Sequence, residues 1–130
     1  MELKIIDFPK IQDPRGNLTF LQHDNQIPFE VKRTFWTYDV PGGDTRGGHA
    51  YYKQKELIIA LSGSFDVVIT NTDGSEEKFH LNRSYYGLYL PAKTWRHIEN
   101  FSTNSLALHV SSEYFSKEDY IRDFDEFKKG

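Results

Sequence analysis

The chain contains no cysteine among its 130 residues. That absence excludes disulfides, iron–sulfur clusters and thiolate zinc sites from any account of its function. It lacks a long apolar run as well. The longest, "LIIAL" (57–61), is far too short to span a bilayer. The opening "MELKIIDFPK" has neither a basic head nor an apolar stretch of signal-peptide length, so the reading expects a cytoplasmic protein with no membrane partner. No basic run or tail is present either. With 16 basic and 19 acidic side chains the net charge is −3, which points away from nucleic acid.

Aromatic residues are abundant, at 15% with ten Phe and eight Tyr; they can fill a core or stack on a flat ligand. The length fits one domain covering residues 1–130, with a core that needs no staples. Short alternating segments separated by turn signals dominate. "LKIIDF", "LTFLQ", "KRTFWTYDV", "GHAYYK", "ELIIALS", "SFDVVIT", "EKFHL", "YGLYLP", "WRHIENF" and "SLALHVSS" read as strands. "NTDG" (71–74) reads as a tight hairpin, and Gly63 in "LSGS" supplies backbone freedom for a bend. This pattern predicts an all-β sandwich or small barrel. One helix is expected, over "KEDYIRDFDEFKK", capped by Ser116 with Asp119 three residues on. Its apolar face of Tyr120, Ile121, Phe124 and Phe127 would dock on the barrel or on a second subunit.

Gly43, His49, Tyr51, Glu56 and Gly63 fall at the spacing Gly-x5-His-x-Tyr-x4-Glu-x6-Gly. This resembles the first cupin motif, except that Tyr51 stands where the second histidine belongs. Pro91, Lys93, Arg96 and Asn100 stand at the spacing of the second cupin motif, with lysine for its glycine and arginine for its histidine. A His-x-Tyr pair on a strand puts both side chains on one face, so His49 and Tyr51 should point into the barrel together. An arginine cannot ligate a metal and would repel its charge. The expected pocket therefore holds no metal and suits an anion or a polar organic molecule.

A wider set of segments, "DPRGNLTFLQ", "IPFEVKRTFWTYDV", "RGGHAYYK", "LSGSFDVVI", "LYLPAKTWRHIENFS" and "EDYIRDFDEFKK", is similar in order to the nucleotide-sugar 3,4-ketoisomerases of the FdtA/QdtA type, with the WxcM-like, RmlC-like cupin fold. The resemblance implies a jelly-roll barrel, a homodimer and no cofactor. It implies a dTDP-linked 4-keto-6-deoxy sugar as substrate, its keto group moved from C4 to C3 on the way to deoxyamino sugars of surface polysaccharides.

Such chemistry needs a base that takes a proton from C3 and returns one to C4 through an enediol. Imidazole is suited to that exchange, and His49 is the candidate, with Tyr51 as a hydrogen-bond donor to the enediolate. The resemblance further implies Arg33, Arg46 and Lys53 around the nucleotide, and Arg15 and Arg96 near the sugar, because a guanidinium fork suits phosphate. Each arginine alone could equally be a surface residue paired with a carboxylate. Tyr38, Ser64 and Tyr89 are candidate base or sugar contacts. Trp95 is either core or a neighbour of the active site. Glu56 orients His49, pairs with an arginine, or faces solvent at a strand end. His23 and His80 read as solvated, His97 as structural, and His109 as a hydrogen-bonded core or interface residue. Phe35 departs from relatives that carry tyrosine there. A rival reading is a non-catalytic cupin that binds a nucleotide sugar and regulates or scaffolds other enzymes.

Overall fold

A computed structural model describes residues 1–130. The twelve strands are β1 (Lys4–Asp7), β2 (Lys10–Ile11), β3 (Leu18–Thr19), β4 (Arg33–Tyr38), β5 (Arg46–Tyr51), β6 (Glu56–Ser62), β7 (Phe65–Thr70), β8 (Glu76–Leu81), β9 (Tyr86–Leu90), β10 (Trp95–Glu99), β11 (Leu106–Ser111) and β12 (Tyr120–Ile121). One sheet has the order β1-β9-β6-β11-β4, the other β12-β5-β10-β7-β8, and β2 pairs with β3 as a separate hairpin. All ladder pairings are antiparallel. Two such sheets packed face to face make a jelly-roll sandwich, the all-β cupin architecture expected from the spacing of turns and strands.

Alternation along each strand sorts side chains into three layers. Between the sheets lie Ile58, Ala60, Phe65, Val67, Leu88, Leu90 and Ile98. Leu57, Ile59, Tyr89 and Val110 leave the opposite face of their sheet and are covered by Phe8, Ile27 and Phe29 of the N-terminal segment. On the far side, Ala50 and Trp95 are covered by Ile121, Phe124 and Phe127.

Gly63 turns the chain from β6 in one sheet to β7 in the other, at φ +67. A Cβ there would run into Ser102 Oγ and lie 2.8 Å from Ser105 Cα. The "NTDG" turn joins β7 to β8, Gly74 N–H donating to Asn71 O at 2.9 Å, as its sequence indicated.

The C-terminal segment differs from the expected long helix. Lys117–Asp119 forms one 3₁₀ turn, Tyr120–Ile121 pairs with β5, and only α1 (Phe124–Lys129) is α-helical. The cap is Asp123, whose side chain accepts from Asp125 N–H; Ser116 makes no side-chain cap bond. Pairing with β5 satisfies the backbone that a longer helix would otherwise use, so tertiary contact overrides local periodicity. The apolar face of Phe124 and Phe127 does dock on the barrel.

Candidate active site

A cavity of about 610 Å³ opens along the side where β4 faces β5. Its floor comes from central strands: Glu56 and Ile58 of β6, Arg96 and Ile98 of β10, and His109 of β11. Its walls are Arg33, Phe35 and Thr37 of β4, and His49 and Tyr51 of β5, with Tyr120 of β12 beside them. Register explains the grouping. His49 is paired with Arg96, Phe35 with His109, and Tyr51 with Tyr120. Gly47, which precedes His49 by two, sits at φ +96, where a Cβ would lie 3.1 Å from His97 Cα. Only glycine lets β5 approach β10 this closely.

The His49 ring stands 4.9 Å from Tyr51 and 5.1 Å from Tyr120, centroid to centroid. Its pKa is lowered to about 4, chiefly by burial and next by the Arg96 charge, with Glu56 opposing. The imidazole is thus neutral at physiological pH and free to accept a proton. Burial and the nearby Glu56 carboxylate push the Tyr51 phenol up, so it keeps its proton. The Arg96 guanidinium lies 4.9 Å from the Tyr51 ring centroid, a cation–π contact.

Beneath them lies a buried polar network. Glu56, 1% exposed, accepts from Gln54 Nε2 at 2.8 Å and from Arg96 Nη1 at 3.3 Å on Oε1. Its Oε2 meets His109 Nδ1 at 2.8 Å. Burial alone would raise its pKa, but the Arg96 charge and the His109 hydrogen bond outweigh that and hold it near 2. Of the alternatives for Glu56, pairing with an arginine is the one realised. Arg33 donates to Gln54 Oε1 at 2.8 Å and lies over Phe35 at 4.6 Å. Arg96 is 2% exposed, donates through Nε to Thr94 O at 3.0 Å, and leaves Nη2 without a partner. A buried unpaired donor costs about 1–3 kcal/mol.

The residues left from the cupin metal motif do not fit a metal. Both Glu56 oxygens are engaged, Arg96 places a fixed positive charge beside them, and no three His, Cys, Asp or Glu side chains converge on one point.

The structure gathers His49, Tyr51, Glu56, Arg33, Arg46 and Arg96 on one cavity. Tyr38 reaches only its rim: it alternates outward on β4 and is 60% exposed. Five further candidates lie outside the lining. Arg15 is exposed and paired with Asp13 at 2.9 Å. Lys53 lies beyond β5, its N–H bonded to Asp119 Oδ1 at 2.8 Å. Ser64 sits at the β6–β7 corner against Ser102. Tyr89 is buried in the layer under the N-terminal segment, and Trp95 packs between Phe124 and Phe127. Trp95 is thus core, by alternation from Arg96. Sequence reasoning had no role for Thr37, for Tyr120 as a cavity residue, or for Arg122, which lies 4.2 Å from the Tyr120 ring centroid. Thr37 could have been found, because it shares strand parity with Arg33 and Phe35. His80 is bonded to Asp66 at 2.6 Å and His97 to Glu99 at 2.8 Å, both away from the cavity.

Fold and cavity together define a cupin whose interior carries a neutral imidazole and buried guanidinium donors, where metal-binding cupins carry ligands. The family model described as "FdtA: WxcM-like, C-terminal" matches residues 1–130, and the chain belongs to that family. It is similar to the TDP-4-oxo-6-deoxy-alpha-D-glucose-3,4-oxoisomerase of Aneurinibacillus thermoaerophilus, 35% identical over 99% of this chain and 92% of that protein. A 3,4-ketoisomerase structure from Helicobacter canadensis matches with 35% identity and TM-score 0.93, covering 99% and 96% of the two chains. A mutant of the 3,4-ketoisomerase QdtA from Thermoanaerobacterium thermosaccharolyticum, in complex with TDP-4-keto-6-deoxyglucose, matches with 31% identity and TM-score 0.95, covering 98% and 92%. The resemblance to sugar 3,4-ketoisomerases is borne out.

Proposed function

We propose that this protein is a dTDP-4-keto-6-deoxyhexose 3,4-ketoisomerase in which His49 carries the proton between carbons. The observation that carries the reading is a neutral imidazole on the wall of a cavity whose floor holds the buried, partly unpaired Arg96. His49 takes the C3 proton, leaving negative charge on the C4 oxygen. The charge on the Arg96 guanidinium and the Tyr51 hydroxyl stabilise that charge as it develops. The His49 imidazolium then delivers the proton to C4, and the keto group is left at C3. Arg33 and Arg46 supply cationic contacts for the diphosphate. The 3-keto product suits an amino-group transfer next, consistent with cytoplasmic synthesis of deoxyamino sugars for surface polysaccharide. No helix of the chain is long and apolar enough to cross a membrane.

Incubation with dTDP-4-keto-6-deoxyglucose in deuterated water, followed by NMR, tests the reading. Wild type should form the 3-keto sugar and incorporate deuterium, whereas His49→Asn should do so about 10²–10⁴-fold more slowly while still binding dTDP. Tight dTDP binding by a wild type that incorporates no deuterium would favour a non-catalytic binding role. We propose a homodimer as the working unit, supported by exposed Ile11 and Leu18 on the β2–β3 hairpin and Trp36 on the edge strand β4. Sedimentation velocity should give about twice the 15.2 kDa chain mass; a monomer at micromolar concentration would refute it.

A further inference from the structure

Moving a keto group to its neighbour relocates two hydrogens. One leaves C3 and arrives at C4; the other leaves the C3 oxygen and arrives at the C4 oxygen. His49 accounts for the first. The second needs a separate carrier.

The cavity contains a hydroxyl–imidazole–carboxylate chain that His49 does not touch through a hydrogen bond. Thr37 Oγ1 lies 3.1 Å from His109 Nε2, and His109 Nδ1 lies 2.8 Å from Glu56 Oε2. The ionised carboxylate is an acceptor only, so Nδ1 carries the hydrogen, and the tautomer this selects presents Nε2 to the hydroxyl as an acceptor. The ring cannot easily reorient. It is 5% exposed and stacked on Phe35 at 4.4 Å with 4° between planes. Glu56 is itself fixed by Gln54 and Arg96. Thr37 is the end of this chain that lies half-buried on the cavity wall, one inward position from Phe35. A threonine hydroxyl packed for structure alone does not need a buried imidazole–carboxylate pair behind it.

We propose that Thr37 is a second proton-transfer residue, exchanging the oxygen-borne proton of the substrate while His49 moves the carbon-borne one, with His109 and Glu56 as its positioning residues. The proposal rests on the ketoisomerase reading. After His49 has removed the C3 proton, the C4 oxygen is an enolate. Thr37 releases its O–H proton to that oxygen and receives the proton of the C3 hydroxyl, ending as it began. His109 Nε2 holds the hydroxyl in place and can take up its proton when the two transfers are not simultaneous. No oxidant or further reactant enters, and every hydrogen is returned. The role also explains why Glu56 of the cupin motif is retained beside replaced metal ligands.

The experiment compares wild type, Thr37→Val, Thr37→Ser and His109→Gln on dTDP-4-keto-6-deoxyglucose in deuterated water. Deuterium entering C3 of the unreacted sugar is followed separately from 3-keto product. Valine preserves the side-chain shape and removes the hydroxyl. Thr37→Val is expected to keep exchange at C3 within about threefold of wild type and to form product at least about 100-fold more slowly. Thr37→Ser should restore product to within about tenfold, and His109→Gln should show the same split as valine. Overturning results are product formation unchanged in Thr37→Val, or exchange and product falling together in both Thr37 variants while dTDP binding persists. Should valine unfold the chain, as read by lost dTDP binding, the serine and His109→Gln variants decide. A wild type that neither exchanges nor converts the sugar would instead sink the ketoisomerase reading itself.

Discussion

At the scale of single residues, His49 shows how position rather than residue type sets reactivity. An exposed imidazole titrates near 6.5; burial and the Arg96 guanidinium bring His49 to about 4. The base form is the active one, so kcat/KM should fall only as pH drops through about 4, because that ratio reports the free enzyme. A pH–rate profile checks this, and an acid limb near 6.5 would contradict it. Arg96→Gln removes one depressing charge and should move the limb upward. How much of this was legible differs from residue to residue. His49, Tyr51, Glu56 and Arg96 could be found because the cupin spacing is a spacing of strand positions, and strand parity fixes the face. Tyr38 has the opposite parity to Arg33, so it could not share the inward face. Tyr89 and Trp95 illustrate a different limit. Both are inner-layer or outer-layer aromatics by parity, but which layer holds the cavity depends on how the two sheets stack, which no single strand encodes.

At the scale of elements, the strands were readable where one face is buried and turns are marked by glycine. β6 and β7 follow their hydrophobic runs closely, and Gly63 divides them. That corner carries a prediction. Alanine at Gly63 must hold a left-handed backbone at φ +67 and push its Cβ against Ser102 Oγ and Ser105 Cα. The strain and displacement should cost about 1–3 kcal/mol, measured as a lower urea midpoint with unchanged slope. An unchanged midpoint would show that the corner relaxes freely. The C-terminal segment was less legible. Tyr120 and Ile121 satisfy helical spacing with Phe124 and Phe127, yet they pair with Tyr51 and Ala50 of β5. The edge of a sheet left open is worth more to that backbone than one further helical turn. That pairing is what brings Tyr120 beside His49.

At the scale of the whole molecule, the same buried site ties activity to stability. The sign follows from the two folded-state values. His49 falls from 6.5 unfolded to about 4 folded, so the unfolded chain binds more protons between those values and stability declines as pH is lowered through that window. Glu56 is held near 2 against an ordinary 4.5; its contribution is present above 4.5 and is lost as pH falls towards 2. Both groups therefore weaken the fold in acid, His49 first. The His49 share between pH 7 and 4.5 is on the order of 2–3 kcal/mol, a sizeable part of a typical domain's 5–15 kcal/mol. His49→Asn replaces the titrating ring with a neutral amide, while leaving the other four histidines of the sequence in place. Urea unfolding of both proteins at pH 7 and 4.5 isolates the effect, because titrations not coupled to His49 cancel in the comparison. The variant should lose less stability than wild type by about that amount, and equal losses would show that His49 is as solvated in the fold as in the unfolded chain.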